Sequence, residues 1–171
     1  MKIVVLNGSP HKDGNTAALV DAFQKGAQAA GHEVVVCLVG TMDIKGCIGC
    51  EYCHTKGEGA CIQKDDMQKV YPELNSADMV VLASSVYYFG FTGQMQSTIS
   101  RFYAGMKPAK AAKYGLILSS GSPNVYAAIE TQYKSILALC GGEDAGIVEV
   151  NGEDNKSEAA LAKAEAFGKS L

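Results

Sequence analysis

The sequence predicts an α/β chain: a doubly wound, five-stranded parallel sheet with helices on both faces. Three observations carry this expectation. Five short apolar runs rich in β-branched residues are spaced along the 171 residues. Each run is apolar at successive positions instead of alternate ones, as befits a strand covered on both faces. Each is followed by a segment of helical period, and strand–helix alternation repeated five times implies a parallel sheet with right-handed crossovers.

The elements follow in order. The run "KIVVLN" (Lys2–Asn7) is the first strand, and the segment Thr16–Ala30 is the helix after it. Gly31 and His32 stand at that helix end, where His32 is expected as a capping partner. The second strand is Glu33–Val39. The connection Gly40–Lys64 has no clear periodicity, and a loop of that length in a compact domain is usually functional or disordered. A helix over Asp65–Asn75 comes next, with Asp65 as N-cap, Asp66 at the positive dipole end and Pro72 expected to kink or divide it. The third strand is Asp78–Ser84, followed by a helix over Gly93–Gly105. The fourth is Tyr114–Ser120 with a helix over Val125–Leu139, and the fifth is Ala145–Val150 with a helix over Ser157–Ser170. No internal repeat, low-complexity tract or Pro-rich linker interrupts this series. A single domain over residues 1–171, carrying a cysteine-rich loop at about 40–64, is therefore expected.

Composition narrows the partners. Net charge is −3 and the basic residues are scattered, so nothing forms a phosphate-tracking stripe for nucleic acid. No apolar run approaches the roughly 18 residues that span a bilayer. The N-terminal "MKIVVLNGSPHKDG" reads as a strand and turn, not as a signal peptide. A cytoplasmic chain with reduced thiols is the expectation.

In such sheets ligands bind outside the carboxyl ends of the strands, at the switch point in strand order. The informative loops are therefore those after the first, third and fourth strands. "GSPHKDGNT" (Gly8–Thr16) runs from a strand end into a helix start, where free N–H groups and the dipole suit a phosphate. Ser9, Asn15 and Thr16 supply short hydroxyl and amide groups, Asn15 or Thr16 reads as an N-cap, and Lys12 and His11 are nearby charge. The loop is neither Walker A nor G-x-G-x-x-G, which favours a monophosphate over a dinucleotide. "SSVYYFGFTGQ" (Ser84–Gln94) holds Tyr87, Tyr88, Phe89 and Phe91 beside Gly90 and Gly93, a wall and a close backbone approach for a flat ring. "SSGSPN" (Ser119–Asn124) adds hydroxyls and Gly121 on the neighbouring strand end. One phosphate loop and two ring loops describe an FMN site. No acid–base pair or Ser-His-Asp set accompanies it, so no catalytic side chain is assigned and the cofactor carries the chemistry.

"GCIGCEYCHTKGEGAC" (Gly46–Cys61) spaces Cys47, Cys50, Cys53 and Cys61 as C-x2-C-x2-C-x7-C. Thiolates at two-residue gaps can wrap successive corners of a cubane, with a fourth closing the set. Free thiols near a flavin edge, a tetrahedral zinc site and a disulfide are the alternatives, and the spacing leaves them open. His54 is a further candidate ligand, whereas Cys37 and Cys140 read as buried apolar residues.

With these motifs in view, the sequence resembles the flavodoxin-like NAD(P)H-dependent FMN oxidoreductases, and within them the iron-sulfur flavoproteins. The features that carry the resemblance are "NGSPHKDGNT", "GCIGCEYC" with Cys61 and "DDM" (Asp65–Met67) following, and "SSVYYFGFTGQMQSTISRFY", over roughly residues 1–105. The resemblance implies phosphate binding by Ser9, Asn15 and Thr16, with Pro10 and His11 lining the loop. It implies a ring against Ser85, Val86, Tyr87, Tyr88, Phe89 and Gly90 and against Ser119, Ser120, Gly121 and Ser122. It implies a [4Fe–4S] cluster on the four cysteines, on the side where the flavin sits. The activity implied passes electrons from NAD(P)H through FMN to a small acceptor such as a quinone, nitro compound or flavin. The alternative is an electron carrier between redox proteins. A homodimer or homotetramer is the expected assembly. Two departures stand out: Ser85 occupies a position where the family commonly has proline, and Gln96 and Ser100 replace a Lys-x-x-x-Asp pattern.

Overall fold

A computed structural model describes residues 1–108 and 110–171. Its elements are β1 (Lys2–Asn7), α1 (Asn15–Ala29), β2 (Glu33–Cys37), α2 (Met67–Ser76), β3 (Met79–Tyr87), β4 (Gly90–Phe91) and α3 (Gly93–Ser100). After them come β5 (Lys113–Ser120), α4 (Ala127–Cys140), β6 (Glu143–Asn151) and α5 (Glu158–Lys169), with short 3-10 turns at Val39–Thr41, Tyr52–His54, Arg101–Ala104 and Gly152–Lys156. Five strands pair in parallel in the order β2-β1-β3-β5-β6, the doubly wound order expected, and β4 folds back antiparallel on β3.

The central strands are apolar at successive positions because both faces are buried. Val4, Leu6, Val80, Leu82, Leu116 and Leu118 point to a core closed by α2, α3 and α4. Ile3, Val5, Met79, Val81, Ala83 and Ile117 point the other way, onto α1 and α5. Those two helices approach backbone to backbone, because a Cβ at Gly26 would fall on the Glu165 carbonyl and one at Gly168 on the Phe23 carbonyl.

Four local expectations are corrected. Strand β2 ends at Cys37, since Val39 and Gly40 turn inward as a 3-10 turn. The segment after β4 is α-helical only to Ser100 and then tightens into a 3-10 turn that carries Arg101 into the interior. Pro72 does not divide its helix: α2 runs unbroken from Met67 to Ser76, at the cost of the N–H that Pro72 lacks. The His32 side chain does not cap α1. Its backbone N–H does so on the Ala27 carbonyl, while Nδ1 faces the chain N-terminus at 3.4 Å.

Candidate functional site

The loop after β1 is held open by its own backbone and side chains. Ser9 N donates to Asn7 Oδ1 at 3.0 Å, and His11 N to Ser9 Oγ at 3.3 Å. From the other side Thr92 Oγ1 donates to the Gly8 carbonyl at 2.7 Å and accepts from Met95 N at 3.1 Å, so the residue that caps α3 also pins this loop. Gly40 packs on the same backbone, and a Cβ there would fall on the Ser9 carbonyl. The N-cap of α1 is Gly14 and not Asn15 or Thr16, and no side chain caps it. No acidic residue stands in its first turn. The amides of that turn are left for an outside acceptor, which is the requirement of a phosphate site.

Ten of the expected residues line one open groove of about 150 Å³: Ser9, His11, Asn15 and Thr16 from the β1 loop, Ser85, Val86 and Tyr87 from the end of β3, and Ser119, Ser120 and Gly121 from the end of β5. Gly14 completes the lining, and no carboxylate is among the described residues that line the groove. Thr16 Oγ1 lies 2.7 Å from Ser119 Oγ, which joins the start of α1 to the end of β5 across 103 positions of sequence. Ser85 Oγ is buried and finds no hydrogen-bond partner among the described residues. A groove lined by a helix start with free amides and by an orphaned hydroxyl fits a flavin nucleotide by the chemistry of its donors.

Pro10, Tyr88, Phe89, Gly90 and Ser122 do not line the groove. Tyr88 and Phe89 form the two-residue turn between β3 and β4, Tyr87 pairing with Gly90. Their φ angles of 50° and 66° make it a type I′ turn, a conformation that ordinarily selects Asn-Gly. The turn leaves Tyr88 99% exposed and Phe89 57% exposed.

Sequence reasoning missed three supports of the groove. Asn155 Nδ2 donates to the Ser120 carbonyl at 2.7 Å and to the Gly152 carbonyl at 2.9 Å. The Tyr126 hydroxyl lies 2.7 Å from Ser120 Oγ and donates to the Val150 carbonyl at 3.0 Å. Lys156 Nζ reaches the Asp13 carbonyl at 3.0 Å. All three come from segments after the last recognised motif. An Asn in a polar stretch between a strand and a helix carries no periodic signal that would mark it.

The four cysteines are brought together elsewhere. Cys47, Cys50, Cys53 and Cys61 line one small pocket of about 20 Å³ with Ile48, Glu51, Ile62, Arg101, Tyr103 and others. All six cysteines of the chain are free thiols, Cys47 and Cys50 exposed and Cys53 buried. Burial pushes the Cys53 thiol up. Among the described residues no three His, Cys, Asp or Glu groups converge as on a single ion. A cubane spreads its thiolates over four irons, so a donor set of four thiols around a shared hollow suits a cluster by its chemistry. Gly49 N already donates to Cys47 Sγ at 3.4 Å, the kind of bond that tunes such sulfurs. His54 is engaged otherwise: Nε2 meets the Tyr103 carbonyl at 2.9 Å, and the residue does not line the pocket.

The neck of the cysteine loop is closed by charge. Asp65 Oδ2 accepts from Arg101 Nη1 at 2.6 Å and from Lys45 N at 3.1 Å, while the same Nη1 donates to the Lys45 carbonyl at 2.9 Å. Gln63 Nε2 adds a bond to the Gly46 carbonyl at 3.0 Å. Burial alone would push the Asp65 carboxyl up, but the bonds from Arg101, Lys45 N and Met67 N outweigh it and hold the carboxyl below its usual value. Asp65 thus also serves the start of α2 through Oδ1 on Met67 N at 3.1 Å, from one position outside the N-cap Asp66. Ser100, where the family pattern has Asp, accepts from Cys47 N at 3.0 Å. Gln96, at the other departure, accepts from Gln132 Nε2 at 3.1 Å.

The two sites share no lining residue. The N-cap of α3 bonds the groove loop and its last residue bonds Cys47, so the helix of eight residues, about 12 Å long, stands between them.

The family model described as NADPH-dependent FMN reductase matches residues 1–153. An iron-sulfur flavoprotein of Archaeoglobus fulgidus is 39% identical over 130 residues, covering 75% of this chain and 56% of the relative. An iron-sulfur flavoprotein of Methanocaldococcus jannaschii is 38% identical over 101 residues, covering 59% of this chain and 50% of that one. The chain thus spans about half the length of the curated relatives it matches. Among solved structures, an NAD(P)H:quinone oxidoreductase from Methanothermobacter marburgensis superposes with a TM-score of 0.71 at 15% identity, over 100% of this chain and 96% of that one. An FMN-dependent NADH-azoreductase from Bacillus anthracis, solved in complex with FMN, gives 0.73 at 13% identity over 99% and 98%. At these identities the structural likeness establishes the fold.

Proposed function

The chain belongs to the NADPH-dependent FMN reductase family, and from that premise we propose that it passes electrons from NAD(P)H through a non-covalent FMN to a small acceptor such as a quinone, nitro compound or free flavin. The observation that carries this reading is the convergence of the β1, β3 and β5 loops on one groove with uncapped helix amides at its end. FMN, when bound, supplies the exchange of electrons with a nicotinamide and with an acceptor. The chain's own residues do the rest. The first turn of α1 with Ser9, Asn15 and Thr16 holds the phosphate, and Ser119 fixes Thr16 against it. The Ser85 hydroxyl is free to bond a polar edge of the ring, and half-exposed Tyr87 walls one side. The rest of the groove is open to solvent, which leaves room for nicotinamide and acceptor in turn.

A second reading is favoured by the cysteine pocket: an iron–sulfur centre on Cys47, Cys50, Cys53 and Cys61 that makes the protein a carrier between redox partners. Names of the relatives support it. Assembly as a homodimer or homotetramer belongs to the same proposal, with the exposed β3–β4 turn as the contact offered. Sedimentation at the mass of a single 18.0 kDa chain would remove that part.

The test is anaerobic purification, followed by an absorption spectrum, analysis of flavin, iron, sulfide and zinc, and stopped-flow mixing with NADPH and NADH. Flavin that bleaches rapidly with either nucleotide supports the reductase. A protein that takes up no FMN on supplementation ends it. About four irons per chain with little nicotinamide turnover selects the carrier.

A further inference from the structure

Arg101 is the largest of the fully buried side chains, 1% exposed, and it lines the cysteine pocket. Its Nη1 is committed to Asp65 and to the Lys45 carbonyl. One face is covered by the Tyr71 ring, 6.0 Å from the guanidinium carbon, and the Tyr71 hydroxyl donates to the Arg101 carbonyl at 3.2 Å. Nε and Nη2 are buried and find no acceptor among the described residues. Arginine stays charged inside a protein, and a buried N–H without a partner costs the full desolvation of that group. Two donors of a buried charge are therefore left without an acceptor beside a pocket lined by the four cysteines, Glu51, Gln63 and Tyr103. Glu51, the carboxylate in that lining, is engaged by the Tyr103 hydroxyl at 3.0 Å, and Gln63 Nε2 donates to the Gly46 carbonyl.

We propose that Arg101 is the positioning residue of the four-cysteine centre: Nε and Nη2 donate to the sulfur atoms of an anionic iron–sulfur cluster there, and the buried charge raises the potential at which that cluster accepts an electron. The proposal rests on the cluster reading of the cysteines. Its physical basis is charge. Four thiolates make the centre anionic, and reduction adds one electron and one more negative charge to it. A guanidinium in a poorly screened interior favours the reduced form over the oxidised one. Asp65 opposes this, since its carboxylate bonds the same guanidinium. Because Nη1 also ties Lys45 to Asp65, the same side chain holds the two ends of the cysteine loop at a fixed spacing.

The experiment uses the full chain, reconstituted anaerobically with ferrous iron and sulfide, and compares wild type with Arg101→Gln, Arg101→Lys and Asp65→Asn. Iron and sulfide per chain are measured, and the cluster is titrated through redox mediators against dithionite with detection by electron paramagnetic resonance. The expected result is a midpoint potential lower than wild type in Arg101→Gln and higher in Asp65→Asn, with Arg101→Lys between wild type and Arg101→Gln. A structural role alone would lower the loading of each variant and leave the potential of the loaded fraction where it was. Unmoved potentials, or shifts of one sign in Arg101→Gln and Asp65→Asn, overturn the proposal while the loaded wild type keeps the cluster reading. A wild type that takes up zinc or no iron overturns both. Should Arg101→Gln fail to fold, the order of Asp65→Asn, wild type and Arg101→Lys decides.

Discussion

Arg101 and Asp65 form an ion pair of 2.6 Å in which both side chains are almost wholly buried, 1% and 3% exposed. The pair binds the end of α3 to the start of α2 and closes the cysteine loop between them. Its partners hold the Asp65 carboxyl below its usual value in the fold, whereas an unfolded chain returns it to about 3.9. Stability from this group is therefore complete above about pH 4–5 and is lost as pH falls through the lowered folded value. Asp65→Asn is expected to cost about 3–5 kcal/mol at neutral pH, the cost of leaving one partner of a buried pair alone. Urea unfolding followed by circular dichroism checks it. A variant as stable as wild type at pH 7, or one whose deficit grows as pH falls, contradicts the account.

The bond between Thr16 and Ser119 is expected to set FMN affinity. Thr16→Val keeps the shape and removes the hydroxyl. FMN should then bind about tenfold to a hundredfold more weakly, the worth of one hydrogen bond to a charged group. Quenching of flavin fluorescence on titration reads the dissociation constant. An unchanged constant would place the phosphate elsewhere.

Gly40 is expected to tolerate no side chain. Gly40→Ala drives a methyl group onto the Ser9 carbonyl, so the β1 loop must shift. A loss of about 1–3 kcal/mol should show as a lower midpoint of thermal unfolding, with weaker FMN binding alongside. Equal melting of variant and wild type would mean that the loop has slack here.

The Tyr88–Phe89 turn holds two bulky residues at positive φ. Replacing both, as Tyr88→Asn with Phe89→Gly, supplies the pair that a type I′ turn prefers. The fold should gain about 1–3 kcal/mol, seen as a higher urea midpoint with an unchanged slope. If the aromatic tip serves assembly, the same double variant sediments at a lower mass. A destabilised variant would mean that the rings pack on something their exposure does not reveal.

Much of the groove was legible in the chain because its residues sit at strand ends, and strand ends follow from hydrophobic pattern. Ser9, Ser85 and Ser119 each terminate or follow an apolar run, so naming the runs named the residues. Tyr88 and Phe89 stand outside the groove lining, in a turn, and a run of aromatics reads equally as a wall or as a turn. Only the register of Tyr87 on Gly90 shows that the two residues between must reverse the chain. The cysteine spacing gave the donor set but not its place. The structure places that donor set in a pocket of its own, bonded to the last residue of α3, while the N-cap of that helix bonds the groove loop.

The strand–helix alternation, the order of the loops that meet at the sheet edge, and four thiols in one segment can all be read from the chain. These are local properties, written in period and spacing. Tertiary structure alone decided that Arg101 is buried, that Asp65 and Lys45 are its partners, and that Asn155 holds Ser120. Those pairings lie 35 to 56 positions apart. A charge or an amide inside a protein is stable only against a partner, and the chain reveals that partner only when the sheet has brought distant segments together.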